Sequence, residues 1–188
     1  MITDLGGELT LVVGPQEGAP LRLRVSAPLL TIASRYFASL LGPHFQEGNK
    51  AAAGKEVNIK EDHAAAFKTL CEILHMQYSL EQTTLLPIDL LSLAIVADKY
   101  DCVKAIQLSL NTLFEGAARY GTTLIQMCGL VNAAYLFDSP KLFKQFTGSI
   151  ILQSQQALTD TQAARAQKDT GMPPIVWCKC LVPMCDRY

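Results

Sequence analysis

Three of the six cysteines, Cys178, Cys180 and Cys185, fall within eight residues. Zinc asks for four ligands, and structural zinc sites space them as paired C-x2-C or with histidines. Here the C-x-C spacing is tight and the nearest histidine in sequence is His75. A zinc site therefore competes with a plainer reading, tail thiols that hold nothing. His63 and His75 fall at the start and end of one expected helix and cannot converge on a metal; His75, near the helix C-terminus, suits the dipole and solvent. Cys71 and His75 are spaced like a dyad, but Cys71 shares an apolar stripe with Phe67, Leu70 and Leu74 and reads as an inert core thiol. The chain contains no G-x-S-x-G elbow, phosphate-binding P-loop, G-x-G-x-x-G or H-E-x-x-H. No catalytic residue and no cofactor is expected. The rival readings are a cysteine- or metal-dependent enzyme, or a small zinc-binding nucleic-acid adaptor, built on the terminal cysteines.

Other residues suit recognition. Phe45-Gln46-Glu47 follows a break at Gly42-Pro43 and sets an apolar anchor beside a carboxylate, the combination that gives small interfaces affinity and orientation. The plain alternative has Phe45 folding back onto the core. Leu9, Leu11, Val12 and Val13 make a strand apolar on both faces. One face serves the core, and the other needs a cover, either a second chain or a later helix. Leu9, Leu11 and Val13 are accordingly candidate partner contacts. The charged run Asp98-Lys-Tyr-Asp-Cys102 reads as a helix-to-helix turn, with Asp101 capping the next helix, Lys99 on the preceding dipole and Tyr100 packed across the corner.

Composition limits the function further. The 188 residues are 49% apolar and 18% charged, which excludes disorder of the whole chain. Sixteen Lys and Arg against seventeen Asp and Glu leave a net charge of −1, so the basic excess that drives nucleic-acid or membrane-surface binding is missing. The most apolar stretch, residues 85–97, is interrupted by Pro87 and Asp89 and is shorter than the ~20 residues of a membrane span. The first residues lack the basic and apolar regions of a secretory signal. An intracellular protein with reduced thiols is expected, in cytoplasm or nucleus.

The elements that must position these groups are legible as patterns. Leu9–Val13 and the strictly alternating Leu21–Val25 read as a hairpin, and Glu56–Ile59 as a third strand. Ser26 and Pro28 open a short helix, and Ser34 caps the next, which carries Tyr36, Phe37, Leu40 and Leu41. Asp62 caps a helix through Phe67, Leu70 and Leu74, and Leu90, Leu93, Ala94 and Ala97 mark another that is apolar nearly all round. Val103, Ile106, Leu110 and Leu113 extend the pattern, and helices follow from Leu124 and from Ser139-Pro140. The chain turns polar from Gln153. The expected class is α+β, a small three-stranded sheet covered by a cluster of helices, with extra C-terminal helices.

Several of these segments, in order, resemble a BTB/POZ domain of the fungal type. Leu9–Gly14 resembles the family's first strand. Leu23-Arg-Val25, Leu29-Leu30 and Ala33-Ser-Arg-Tyr-Phe37 resemble its second strand and first helical hairpin. His44–Gly48 and Glu56–Ile59 resemble the path into its third strand, and Phe67–Leu70 with Ile73-Leu-His75 resembles the next helix. Ala97-Asp-Lys-Tyr-Asp-Cys102 is the most specific match. The family commonly has His where this chain has Ser26. The resemblance implies a BTB-like domain over 4–118, a helical extension over 119–154 and a cysteine-containing tail over 155–188. It also implies a non-enzymatic interaction module that dimerises or binds another protein. Some members are substrate adaptors of cullin ubiquitin ligases, and Phe45-Gln46-Glu47 matches their hydrophobic-x-Glu pattern.

Overall fold

Alternation of period two places Leu9, Leu11 and Val13 on the buried side of one strand and Leu23 and Val25 on the buried side of another. In the computed structural model these become β2 (Leu9–Val13) and β3 (Leu21–Val25), paired antiparallel with Leu11 opposite Leu23. The structure describes residues 2–14, 20–46, 48–49, 56–60, 63–79, 85–120 and 123–153. Leu21 is only half buried, and Arg22 and Arg24 reach out to Glu56 and Asp4. Among the described residues the sheet has four strands, not the three expected. The additional strand is β1 (Ile2–Asp4), parallel to β3, and β4 (Val57–Ile59) is parallel to β2, giving the order β1-β3-β2-β4. Three residues are too few for β1 to show a period, and only its pairing with β3 makes it a strand.

The class is α+β, with seven α-helices among the described residues: α1 (Ala27–Ala33), α2 (Arg35–Leu40), α3 (Ala64–Leu74), α4 (Pro87–Lys99), α5 (Leu110–Ala118), α6 (Leu124–Leu136) and α7 (Pro140–Gln153). Residues 103–113 were expected as one continuous helical pattern. They begin instead as a 3-10 helix, Lys104–Ser109, before α5. His63 occupies the N-cap of α3, and the expected cap, Asp62, lies outside the described residues. Ser139 and Pro140 start α7 as expected, with Ser139 C=O accepting the first N–H, from Phe143.

The helix C-termini show a feature with no sequence signal. Helices α3, α4 and α6 each end with paired bonds of the Schellman type: Gln77 N–H to Glu72 and Met76 to Ile73; Cys102 to Ala97 and Asp101 to Asp98; Ser139 to Ala134 and Asp138 to Tyr135. The left-handed position in each is Met76, Asp101 or Asp138, with φ of 56°, 52° and 48°, where glycine is the usual occupant.

The chain divides into two compact units. The first lies within Met1–Gln82 and Ile95–Leu108, the second within Thr83–Ala94 and Ser109–Tyr188, so α4 gives residues to both. In the first, the sheet's buried face joins Leu30, Phe37, Phe67, Leu70 and Tyr100 in one core. In the second, α6 runs along α7, and Phe114 meets Phe137 and Phe146 with ring centres 6.1 and 5.4 Å away. A capping box fixes the start of α6: Gln126 N–H donates to Thr123 Oγ1, and Thr123 N–H donates to Gln126 Oε1.

Candidate partner-binding surface

Ser34 is buried and carries two bonds with one hydroxyl. Its Oγ accepts the Phe37 N–H at the N-terminus of α2 and donates to the Tyr100 carbonyl at 2.5 Å. A cap read from sequence as local therefore also ties α2 to the end of α4. Phe37 stacks on Tyr100 at 5.5 Å and 8°, and Phe67 and Tyr36 meet Tyr100 edge-on, both at 5.1 Å. Offset and edge-on pairs of this kind each add about 0.5–1.5 kcal/mol beyond area burial. Four rings thus mount α2 rigidly, and the mount leaves Tyr36 43% exposed. Beside it, Arg35 Nε donates to Asp101 Oδ2 at 3.1 Å across the surface. The Arg35 side chain is 88% exposed, and a surface pair of this kind adds little stability.

The chain then turns at Leu41 and Gly42. Phe45 N–H donates to Gly42 C=O at 3.3 Å, and Asn49 N–H returns to Phe45 C=O at 3.2 Å. Gly48 is buried at the close of this turn, where a Cβ would run into the carbonyls of Leu41 and Gly42. Phe45 is 49% exposed, so its ring is not absorbed by the core. Its companion Glu47 lies outside the described residues. Ile32, on α1, is 84% exposed. Aromatic and arginine side chains on a pinned backbone are what anchor most protein interfaces.

The other candidates are placed differently. Leu9, Leu11 and Val13 are 3, 0 and 0% exposed, so their side chains form the core face of β2 and are not offered to a partner. The opposite face presents Thr10 and Val12, both half buried, and β2 is paired on both edges. Tyr100 packs across the corner after α4 as expected, and Lys99 Nζ lies over its ring at 5.3 Å. Asp101 does not cap the following helix; it holds the left-handed position and its carboxylate is taken by Arg35. His75 is not in solvent. It is buried, with Nδ1 2.7 Å from Cys71 C=O and Nε2 accepting the Ser26 N–H at 2.9 Å, which assigns the Nδ1–H tautomer. Its ring joins the end of α3 to the start of α1.

Cys71, Cys102 and Cys128 are free and buried. Burial pushes Cys102 and Cys128 up to about 11, with Ser34 opposing and Asp101 adding to the shift at Cys102. Burial, then the neighbouring Cys102 and Glu72, raises Cys71 further. At pH 8 a thiol of that kind is thiolate in roughly one molecule in a thousand. In a Cys178→Ser/Cys180→Ser/Cys185→Ser variant, iodoacetamide at pH 8 is expected to leave all three native thiols unmodified and to label them after unfolding. Rapid labelling of one native thiol would show that burial does not suppress its reactivity. Cys178, Cys180 and Cys185 lie outside the described residues. Among the described residues, no group of three His, Cys, Asp or Glu is placed to hold a metal, and no helix is long and apolar enough to cross a membrane.

No family model matches this chain, and no curated protein matches its sequence.

Proposed function

We propose that the chain is a BTB-type interaction module, non-enzymatic and intracellular, that assembles with itself or another protein and serves as a substrate adaptor on a cullin scaffold. The observation that carries this reading is the exposure of Phe45 on a turn whose two ends are hydrogen-bonded and whose preceding helix is pinned by Ser34 and the Tyr100 ring cluster. Phe45 is exposed together with Ile32 and Tyr36 of the same unit, and aromatic side chains are among the residues that anchor protein interfaces. The sheet order, with α1 and α2 between β3 and β4 and a parallel β2–β4 pair, is compatible with a BTB-like arrangement. The core placement of Leu9, Leu11 and Val13 moves the self-association surface to Ile32, Tyr36 and Arg35.

The test is a pull-down with two baits, a cullin N-terminal domain and a differently tagged copy of this chain. Wild type is expected to be retained by the cullin bait. Phe45→Ala/Glu47→Ala is expected to lose retention at least tenfold, with the melting temperature within about 2 °C of wild type; at the half-exposed Phe45 a substitution changes stability by about 0.5 kcal/mol. Retention only on the self bait would keep the module and discard the cullin. No retention of wild type on either bait would end the reading.

A further inference from the structure

Helix α1 has seven residues, well short of the length at which a helix holds by itself, and its N-cap, Ser26, contributes no side-chain bond. Its start is fixed from elsewhere in the first unit. Ser26 N–H donates to His75 Nε2 at 2.9 Å, and Ala27 N–H donates to Glu8 Oε1 at 3.0 Å. Of the three histidines only His75 is buried, and its other ring nitrogen, Nδ1, donates to Cys71 C=O at 2.7 Å. One ring nitrogen thus gives a hydrogen bond and the other receives one, an arrangement open only to the neutral ring. An imidazolium has two donors and no acceptor.

We propose that His75 is a pH-sensitive joint: a second proton on its ring breaks the Ser26 bond and frees the start of α1. The proton adds to the Nε2 lone pair that accepts from Ser26, so two N–H groups come face to face and the backbone has to move away. Histidine is the side chain that ordinarily changes charge between about pH 5 and 8, so the bond is present at the upper end of that range and lost toward the lower. The surroundings hold few other charges. Helix α1 brings no titratable side chain. From β3, Arg24 points to the opposite face of the sheet and meets Asp4 there. On α3, Lys68 and Glu72 pair with each other, and burial keeps Cys71 a neutral thiol. The charge placed at the joint is Glu8, whose carboxylate is engaged by the neighbouring Ala27 N–H. Helix α1 carries the exposed Ile32 and runs directly into Ser34 and α2, so acid loosens one edge of the surface described above. The joint itself works with or without a partner.

The full chain, isotope-labelled, is followed by NMR from about pH 8 to about pH 5.5. At the start the His75 ring is expected to show a protonated Nδ1 and a bare Nε2. As the ring takes up its second proton, protection of the Ser26 amide against hydrogen exchange, corrected for the intrinsic effect of pH, is expected to fall at least tenfold. Protection of the Phe37 N–H, which is bonded to Ser34 Oγ in the same unit, is expected to hold. In His75→Gln the Ser26 amide is expected to be insensitive to pH over this range, and in Glu8→Gln the fall is expected to remain. Four results on wild type would each overturn the proposal: a proton on Nε2 at the start, a ring that does not titrate in the range, unchanged protection of Ser26, or equal losses at Ser26 and Phe37. They decide the matter even where a variant does not fold. A fall at Ser26 that persists in His75→Gln, or vanishes in Glu8→Gln, would overturn it as well.

Discussion

Tyr100→Ala is expected to destabilise the protein by about 4 kcal/mol, the cost of emptying a large aromatic site in a packed core. The ring is 2% exposed and is the meeting point of the first unit's aromatic cluster, stacked on Phe37 and edge-on to both Phe67 and Tyr36. None of these three can follow it into the void without breaking its own contacts, so collapse relieves little of the cavity. For a chain of this length that loss corresponds to a fall in melting temperature of roughly 10 °C, measured by circular dichroism. Tyr100→Phe keeps all ring contacts and is expected to cost no more than about 1.5 kcal/mol. The two variants separate ring packing from everything done by the hydroxyl. The substitution also reaches the binding surface, because Tyr36 and the start of α2 are positioned by the same ring and by the Tyr100 carbonyl. Pull-down of a partner by Tyr100→Ala should therefore weaken even below its melting temperature. A fall of less than 1 kcal/mol would show that the cluster is looser than its geometry.

The parts of this architecture that sequence patterns reveal are those written in local periods. Strands β2 and β3 alternate, Ser34 and Ser139-Pro140 start helices in the ordinary way, and the stripe through Phe67, Leu70 and Leu74 is helical. What local patterns hide is set by long-range pairing. β1 becomes a strand only because Thr3 aligns with Leu23. The ends of α3 and α4 are legible at His75 and at the Asp98–Cys102 turn, but the left-handed residues that close them, like that of α6, are hidden because Met76, Asp101 and Asp138 hold positions where glycine is usual. Thr123-x-x-Gln126 is a capping box legible in the chain, and reading the helix only from its apolar residues passes over it. The candidate surface divides in the same way. Phe45 is legible because Gly42-Pro43 ends the helix before it. The strand 9–13 misleads because side chains apolar on both faces do not say which face is inside; Leu9, Leu11 and Val13 point to the core. Arg35 and Asp101 are 66 positions apart and meet only through the fold.

Gly7→Ala is expected to cost about 3 kcal/mol, because no side chain fits where the chain crosses the sheet. Strands β1 and β2 flank β3 on opposite sides, so residues 5–8 must carry the chain past the end of β3, a lateral step of roughly 10 Å. The crossing is tightly held. Leu5 N–H still bonds Arg24 C=O at 2.8 Å, Asp4 Oδ1 accepts the Gly6 N–H at 2.9 Å, and Gly6 turns the chain with φ of 78°. Gly7 then lies directly against the last peptide of β3, where a Cβ would overlap the Val25 carbonyl and the Ser26 nitrogen. Those are backbone atoms and cannot rotate away, unlike the tip of a flexible side chain. Moving them also disturbs the Ser26 N–H bond to His75 and the Ala27 N–H bond to Glu8, which hold the start of α1. Gly6→Ala is the matched control: a Cβ there meets nothing within 4 Å, so only the left-handed backbone is penalised, about 1–2 kcal/mol. The comparison is read from urea denaturation curves and from hydrogen exchange at Leu5 and Arg24, whose protection should collapse in Gly7→Ala and persist in Gly6→Ala. Equal stability of the two variants would mean that β1 does not cross β3 by this path.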